Sequence, residues 1–258
     1  MDEQIKKFPK VLVSAPTASA KNYCFESWLD NVMNFTYPNY QVRLFDNTID
    51  GGKNAENLNE IARRKYGSMV GAFEKFYAYN SQELHKIKSE KSVIARMARS
   101  HNDCRGYALS NGFDYLLHLE SDVFPTREVI ETLIFDNKDV VGAAFYRDEG
   151  RHRCLMAQRR IYVTPNVIKC FNLNANEDLY YLDGKLREVA SVGLGCVLIK
   201  TKKVFNKIKF RYVEGENMHP DSFFSEDCFR NKIKIYLNTN IVCKHENRQW
   251  GVYGIDYK

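Results

Sequence analysis

"LLHLESDVFP", residues 116–125, decides how the chain reads. Leu116, Leu117 and Leu119 belong to a strand-like run, DYLLHLE (114–120), that ends in Glu120-Ser121-Asp122 and then turns at Phe124-Pro125. Two carboxylates brought this close to a buried strand end repel each other and lose hydration unless something positive joins them. Side chains at i and i+2 of a strand point the same way, so both acids can approach one hard divalent cation, directly or through water. The alternative is a pair of solvated acids that merely punctuates a strand.

Outward from this stretch, strand-like and helical runs alternate. KVLVSAP (10–16) is a strand closed by a proline. CFESWLDNVMNF then places Phe25, Trp28, Leu29 and Val32 at i, i+3, i+4 and i+7, the spacing of a helix. YQVRLFDN (40–47) is a second strand, ending in Asp46-Asn47 and followed by the turn IDGG. The spacing predicts a long helix over 92–111, with Ile94, Met97, Ala98 and His101 as its apolar stripe and Arg96, Arg99 and Asp103 on another face. After 114–120, Thr126 is placed to cap a helix carrying Val129, Ile130, Leu133 and Ile134, and DVVGAAFY (139–146) is a fourth strand. Repeated βα units of this kind predict an α/β fold with a mostly parallel central sheet and helices on both faces. Ligands of such sheets bind beyond the carboxyl ends of the strands, where Pro16-Thr17, Asp46-Asn47 and Glu120-Ser121-Asp122 all project. The second half is less regular: RDEGRHRCLMAQRR (147–160) reads as a basic, irregular stretch before SVGLGCVLIK (191–200).

No linker, repeat or low-complexity block divides the 258 residues, so one domain is expected over 1–258. With 44% hydrophobic residues a sizeable core forms and disorder is excluded. No run of 18 apolar residues is present and MDEQIKKFPK has no signal-peptide core, so a protein without a transmembrane segment, in the cytoplasm, is expected. The seven cysteines form no C-x-x-C pair, which argues against a disulfide framework and for a reducing compartment. A net charge of +6 suits an anionic ligand, from a nucleotide sugar to a nucleic acid, and equally a mixed solvated surface. KTKKVFNKIKFR (200–211) interleaves cations with aromatics in a way that suits an anionic acceptor, or forms one solvated helix face.

Four constellations carry the candidate chemistry. Glu120 and Asp122 are the first. His245, in CKHEN, can complete the coordination of the same ion, while Cys243-x-His245 reads alternatively as half of a zinc site. Ser225-Glu226-Asp227 is either a helix start with its usual cap and acids, or a source of a general base. Gly193 and Gly195 let backbone approach a ligand closely, or serve a tight turn. Arg96 and Arg99, with Arg147, Arg151 and Arg153, match a diphosphate's oxygens in pairs, or are solvated.

Taken in order, these pieces resemble the nucleotide-sugar glycosyltransferases of the GT-A fold, close to the family-2 type. VLVSAPT with YQVRLFDNTIDGG looks like that group's opening, and ARMARSHNDCRGYALSNGFDYLLHLESDVFP is similar to its core signature, an Arg-bearing helix before an Asp-x-Asp strand end. The resemblance implies that Ala15, Pro16, Thr17, Asp46 and Asn47 hold the nucleoside. Arg96, Arg99, Glu120, Ser121, Gly193 and Gly195 would lie along the rest of the nucleotide sugar. It implies Mn²⁺ or Mg²⁺ held by Asp122 and His245, with Glu120 replacing the usual first Asp and reaching ribose or metal. Asp227, with Glu226, would be the base of an inverting reaction. The helix-strand signature also looks like fungal-type α-mannosyltransferases that retain configuration, in which no such base is assigned. Residues 1–125 would bind a nucleoside-diphosphate sugar such as a UDP-sugar, and 126–258 would face a hydroxyl acceptor, a glycan or modified DNA. The competing expectations are a non-catalytic carbohydrate- or nucleic-acid-binding module of the same fold and a sugar-phosphate nucleotidyltransferase. SAPTASAK lacks the glycines expected of the latter.

Overall fold

The computed structural model describes residues 8–68, 72–81, 92–149, 152–164, 167–174, 183–216 and 218–246. Its centre is an eight-stranded mixed sheet. In chain order its strands are β1 (Val11–Thr17), β2 (Tyr40–Asp46), β3 (Phe76–Asn80), β4 (Tyr115–Leu119), β6 (Val140–Ala144), β10 (Leu186–Val189), β12 (Cys196–Lys200) and β13 (Ile235–Val242). Spatially they run β10-β13-β6-β12-β4-β1-β2-β3. The expected parallel block is present as β4-β1-β2-β3. Beyond it β12 lies antiparallel between β4 and β6, and β10 is antiparallel at the edge, so the sheet is mixed, while the other six of its eight strands run in one direction as expected.

Strand alternation feeds two cores. Val11, Val13, Leu117, Leu119, Cys196 and Leu198 face one, where α1 (Phe25–Met33), α2 (Lys53–Tyr66) and α5 (Val129–Phe135) pack. Leu12, Leu116, Val197 and Ile199 face the other, against α4 (Val93–Ser110), α6 (Thr201–Phe205) and α7 (Pro220–Arg230). The single-turn helix α3 (Ala72–Lys75) leads into β3. Helix α1 buries the expected Phe25, Trp28, Leu29 and Val32. Helix α4 is capped by Ser92, whose side chain accepts from the Ala95 amide; Ala98 and His101 are buried as expected, and the stripe continues through Cys104 and Ala108.

Several expectations are corrected. β1 extends through Pro16 to Thr17, because pairing with β4 stops at Ser14 and no ladder partner needs the missing proline amide on that side. Thr126 does not cap α5: Glu128 holds that position, and Thr126 gives only its carbonyl to the Val129 amide. Within 147–160 the described residues are not irregular but belong to β7 (Tyr146–Glu149) and β8 (His152–Thr164), which with β9 (Val167–Asn174) and β11 (Ser191–Val192) form a second sheet. Leu155 and Ala157 are its buried positions. The aromatics of 200–211 are core residues, Phe205 and Phe210 being 0% and 3% exposed, and Lys200 and Lys203 both pair with Asp139, so this run presents no aromatic face to a nucleic acid. No helix of the described residues is long and apolar enough to cross a membrane. All seven cysteines are unbridged.

Candidate functional site

The carboxyl ends of β1, β2 and β4 lie on one rim, with Thr17 opposite Asp46 in the register. The loops leaving them are stitched together: Thr17 Oγ1 and Ser121 Oγ are 3.0 Å apart, the Asn47 amide donates to the Thr17 carbonyl, and the Cys24 thiol donates to the Ser121 carbonyl. Asp46 is fully buried. Its Oδ1 accepts from the Thr48 amide and hydroxyl and from Asn54 Nδ2, whereas Oδ2 has no partner. Burial raises its pKa against those hydrogen bonds. The turn that follows needs glycine: Gly51 and Gly52 have φ of 71° and 89°, and Asp50 accepts from the Gly52 and Asn54 amides to start α2. Ala15 and Pro16 are buried within β1.

The acids of 120–122 meet a cation that the sequence did not point to. A 3₁₀ turn, Ser19–Cys24, follows β1 and sets Lys21 Nζ 2.7 Å from Glu120 Oε2 and 2.9 Å from Asp122 Oδ1. Burial disfavours the ammonium, but the two carboxylates outweigh it and hold Lys21 well above its ordinary pKa. Asp122 is fully buried, which pushes its carboxyl up; Lys21 and His245 overcome this and hold it well below the usual range.

His245 reaches this point through a small ribbon. β5 (Val123–Phe124) pairs antiparallel with β14 (Lys244–His245), placing His245 opposite Val123, and the Glu246 amide donates 2.9 Å to the Asp122 carbonyl. The Tyr146 carbonyl, 2.8 Å from His245 Nδ1, can only accept, so that nitrogen carries a proton; against burial, Asp122 raises the pKa of the ring, and in its neutral form Nε2 offers a lone pair. Nε2 lies 3.7 Å from Asp122 Oδ2, too far for a hydrogen bond; both atoms are buried and neither has a hydrogen-bond partner. Two facing acceptors at this separation fit one divalent cation bound at about 2.1 Å to each, with the histidine oriented by its other nitrogen. No group of three or more His, Cys, Asp or Glu ligands gathers among the described residues, so further ligands would come from substrate and water. Glu120 is committed to Lys21. Cys243 is buried in the core, 4% exposed, which removes it from the zinc half-site reading.

Beside the acids opens a cavity of about 510 Å³. Glu120, His245 and Arg147 lie at its lining together with His101 and Met97 from α4, Gly193 and Leu194 before β12, and His219, Asp221 and Ser222 at the start of α7. The Asp221 carboxyl is raised by burial, partly opposed by His219. Glu226 and Asp227 are elsewhere. Helix α7 begins at Pro220, so they fall in its middle, and Arg211 binds both, at 2.9 Å to Glu226 and at 2.9 and 3.1 Å to the two oxygens of Asp227. Neither lines the cavity. Gly193 does line it, but Gly195 serves packing: a Cβ there would overlap the Phe145 ring, which lies edge-on to His245 with centroids 5.4 Å apart. Arg96 and Arg99 are partly buried on α4 and do not line the cavity. Arg151 and the side chain of Arg153 lie outside the described residues.

Sequence reasoning missed Lys21, Asp221 and His101 as site residues. A lysine one loop beyond a parallel strand whose neighbour ends in two acids was the available signal for the first.

The Anp1 family matches residues 1–159, a span that holds Lys21, Asp46, Glu120 and Asp122 but not Asp221 or His245. No curated protein matches the chain. Among solved structures, GalNAc-T7 with UDP, GalNAc and Mn²⁺ is similar at 11% identity and a TM-score of 0.58, over 93% of this chain and 44% of that one. The mannosyltransferase PcManGT from Pyrobaculum calidifontis, in complex with GDP-Man and Mn²⁺, is similar at 14% identity and a TM-score of 0.57, over 92% and 57%. The chain thus spans about half the length of these two proteins, and at such identities the likeness is one of fold: GT-A-like, α/β, with helices flanking a mixed sheet.

Proposed function

The chain belongs to the Anp1 family, with a GT-A-like fold related to nucleotide-sugar glycosyltransferases, and from that premise we propose that it moves a sugar from a nucleoside-diphosphate sugar to a hydroxyl acceptor. One observation carries this reading: Asp122 Oδ2 and His245 Nε2 are buried, without a hydrogen bond and 3.7 Å apart at the rim where a diphosphate would lie. Asp122 and His245 would hold Mn²⁺ or Mg²⁺, and the imidazole ligand favours Mn²⁺. When bound, the ion supplies positive charge to the phosphate oxygens as the departing nucleotide gains negative charge.

The chain's own residues do the rest. Lys21 adds a fixed positive charge beside that position and keeps Glu120 and Asp122 from repelling each other. Asp46 Oδ2, an acceptor in want of a donor, takes an N–H or O–H of the nucleoside, with Thr17, Asn47 and Ser121 closing the floor beneath it. The cavity receives the sugar and the acceptor hydroxyl. In an inverting reaction we assign the base to Asp221, which faces the cavity and whose proton affinity burial raises, in place of Asp227, which Arg211 engages outside it. On this division residues 1–125 supply the nucleotide floor and 126–258 most of the cavity, His245 crossing back to join Asp122.

Hydrolysis of a panel of nucleoside-diphosphate hexoses, with and without Mn²⁺, tests the reading. Wild-type protein is expected to turn over at least one donor in a metal-dependent way, and Asp122→Asn to lower that rate on the order of 100-fold. Turnover that survives both EDTA and Asp122→Asn defeats the assignment.

A further inference from the structure

Two histidines lie next to the acid pair without belonging to it. His101 of α4 and His118 of β4 are 4% and 0% exposed, and their rings meet edge to edge, His101 Nδ1 lying 2.9 Å from His118 Nε2. The far nitrogen of the pair, His118 Nδ1, is hydrogen-bonded to the Leu194 carbonyl. A carbonyl can only accept, so His118 Nδ1 carries the proton. In a neutral ring Nε2 of His118 is then an acceptor, and the proton in the contact between the rings belongs to His101 Nδ1. One consequence remains: His101 Nε2 bears a lone pair.

Nε2 points away from His118, and no hydrogen bond of the described residues reaches it. His101 nevertheless lines the cavity. Phe210 covers one face of its ring, with centroids 4.8 Å apart and planes 27° from parallel, so the ring cannot turn to find another partner. Both imidazoles are neutral at physiological pH: burial and the other's proximity push His101 down, and burial takes His118 to about 4. A nitrogen so weakly basic accepts a hydrogen bond but does not carry off a proton.

We propose that His101 Nε2 is a fixed acceptor for a sugar hydroxyl in the cavity, with His118 as the positioning residue that sets its tautomer through the Leu194 carbonyl. The proposal deepens the glycosyltransferase reading and rests on the cavity being a sugar site. It also defines the ligand's class. Glu120, Asp221 and His101 line this cavity together with donors such as Arg147, Gln158 and Ser222, so the group it takes both donates and accepts hydrogen bonds, as a polyol does. A hexose fits this description.

The full-length protein labelled with ¹⁵N-histidine tests this by long-range ¹H–¹⁵N spectra at pH 7. Both rings are expected as the Nδ1–H tautomer. Titration with glucose, mannose, galactose and their nucleoside-diphosphate forms is expected to shift His101 Nε2 towards the hydrogen-bonded position while leaving His118 Nδ1 in place. An Nε2–H or cationic His101, or no shift with any of these sugars, overturns the proposal. If hexoses move His101 Nε2 although no nucleotide sugar is ever hydrolysed, the transferase reading fails and this inference stands. With a donor in hand, His101→Phe keeps the stack on Phe210 and is expected to raise KM roughly tenfold, and His101→Gln, whose amide oxygen accepts, to recover most of it. A folded His101→Phe with unchanged KM would also overturn it.

Discussion

Asp46 shows how a single side chain holds function and stability in opposition. Its buried carboxylate has three donors on Oδ1 and none on Oδ2, so the free protein carries an ionised oxygen without compensation. Asp46→Asn retains an acceptor for Thr48 and Asn54 and removes the charge. The variant is expected to be more stable than wild type by about 1 kcal/mol at pH 7. Because the folded pKa of Asp46 is raised, the wild-type penalty exists only where the group is ionised, so the variant's advantage should fade as the pH falls to about 4 and below. Urea melts at pH 7 and pH 4 measure this, and calorimetry with UDP and GDP should show weakened binding by the same variant. As members of the candidate site, Asp46, Glu120, Asp122 and His245 were legible in the sequence because each lies at or near the end of a strand whose pattern is plain. Lys21 was not, since a lysine in a short loop carries no periodicity, and its partners lie a hundred residues away. Asp221 was masked by the more conspicuous Ser225-Glu226-Asp227, whose acids turn out to serve Arg211.

Among the elements, the β5–β14 ribbon and the turn before β12 determine whether the site is assembled. Phe145 links them: its ring fills the space over Gly195 and touches His245 edge-on. Gly195→Ala would force that ring aside, at a cost of about 1–3 kcal/mol in stability, and would carry His245 away from Asp122. The expected result is a lowered melting temperature together with Mn²⁺ affinity reduced by tenfold or more, read by titration calorimetry. Loss of stability without loss of Mn²⁺ affinity would uncouple the glycine from the site. The helices α1 and α4 and the strands β1, β2, β4 and β6 could be read from the sequence pattern to within a residue or two, whereas β3 was not read. β8 could not, because its arginines and histidine look like a loop. The alternation that matters is the pair Leu155 and Ala157, buried between the half-buried Cys154, Met156 and Gln158.

Across the whole molecule, two cores on opposite faces of one sheet make the centre far better protected than the flanks. β1, β4, β12 and β6 bury nearly every residue, whereas β3 and β10 are edges with exposed positions such as Tyr77 and Glu188. Amide exchange is therefore expected to be slowest in the four central strands and to reach them only by global unfolding, with β3 and β10 exchanging by local opening. Equal protection at edge and centre would contradict this layout. In the parallel block β1 and β4 were readable because each is followed by an apolar helical pattern, and β2 because its apolar run ends in Asp46-Asn47 before a glycine turn. The antiparallel entry of β12 was not, since nothing local to SVGLGCVLIK reports which neighbour it will join. The Lys21 bridge has one last implication, for biogenesis. On the ribosome Asp122 emerges long before His245 does, and a carboxylate folding into the interior would meanwhile lack the imidazole it faces. Lys21, already synthesised, is its resident counter-ion from the outset, so this carboxylate does not wait for the closing ribbon to be compensated.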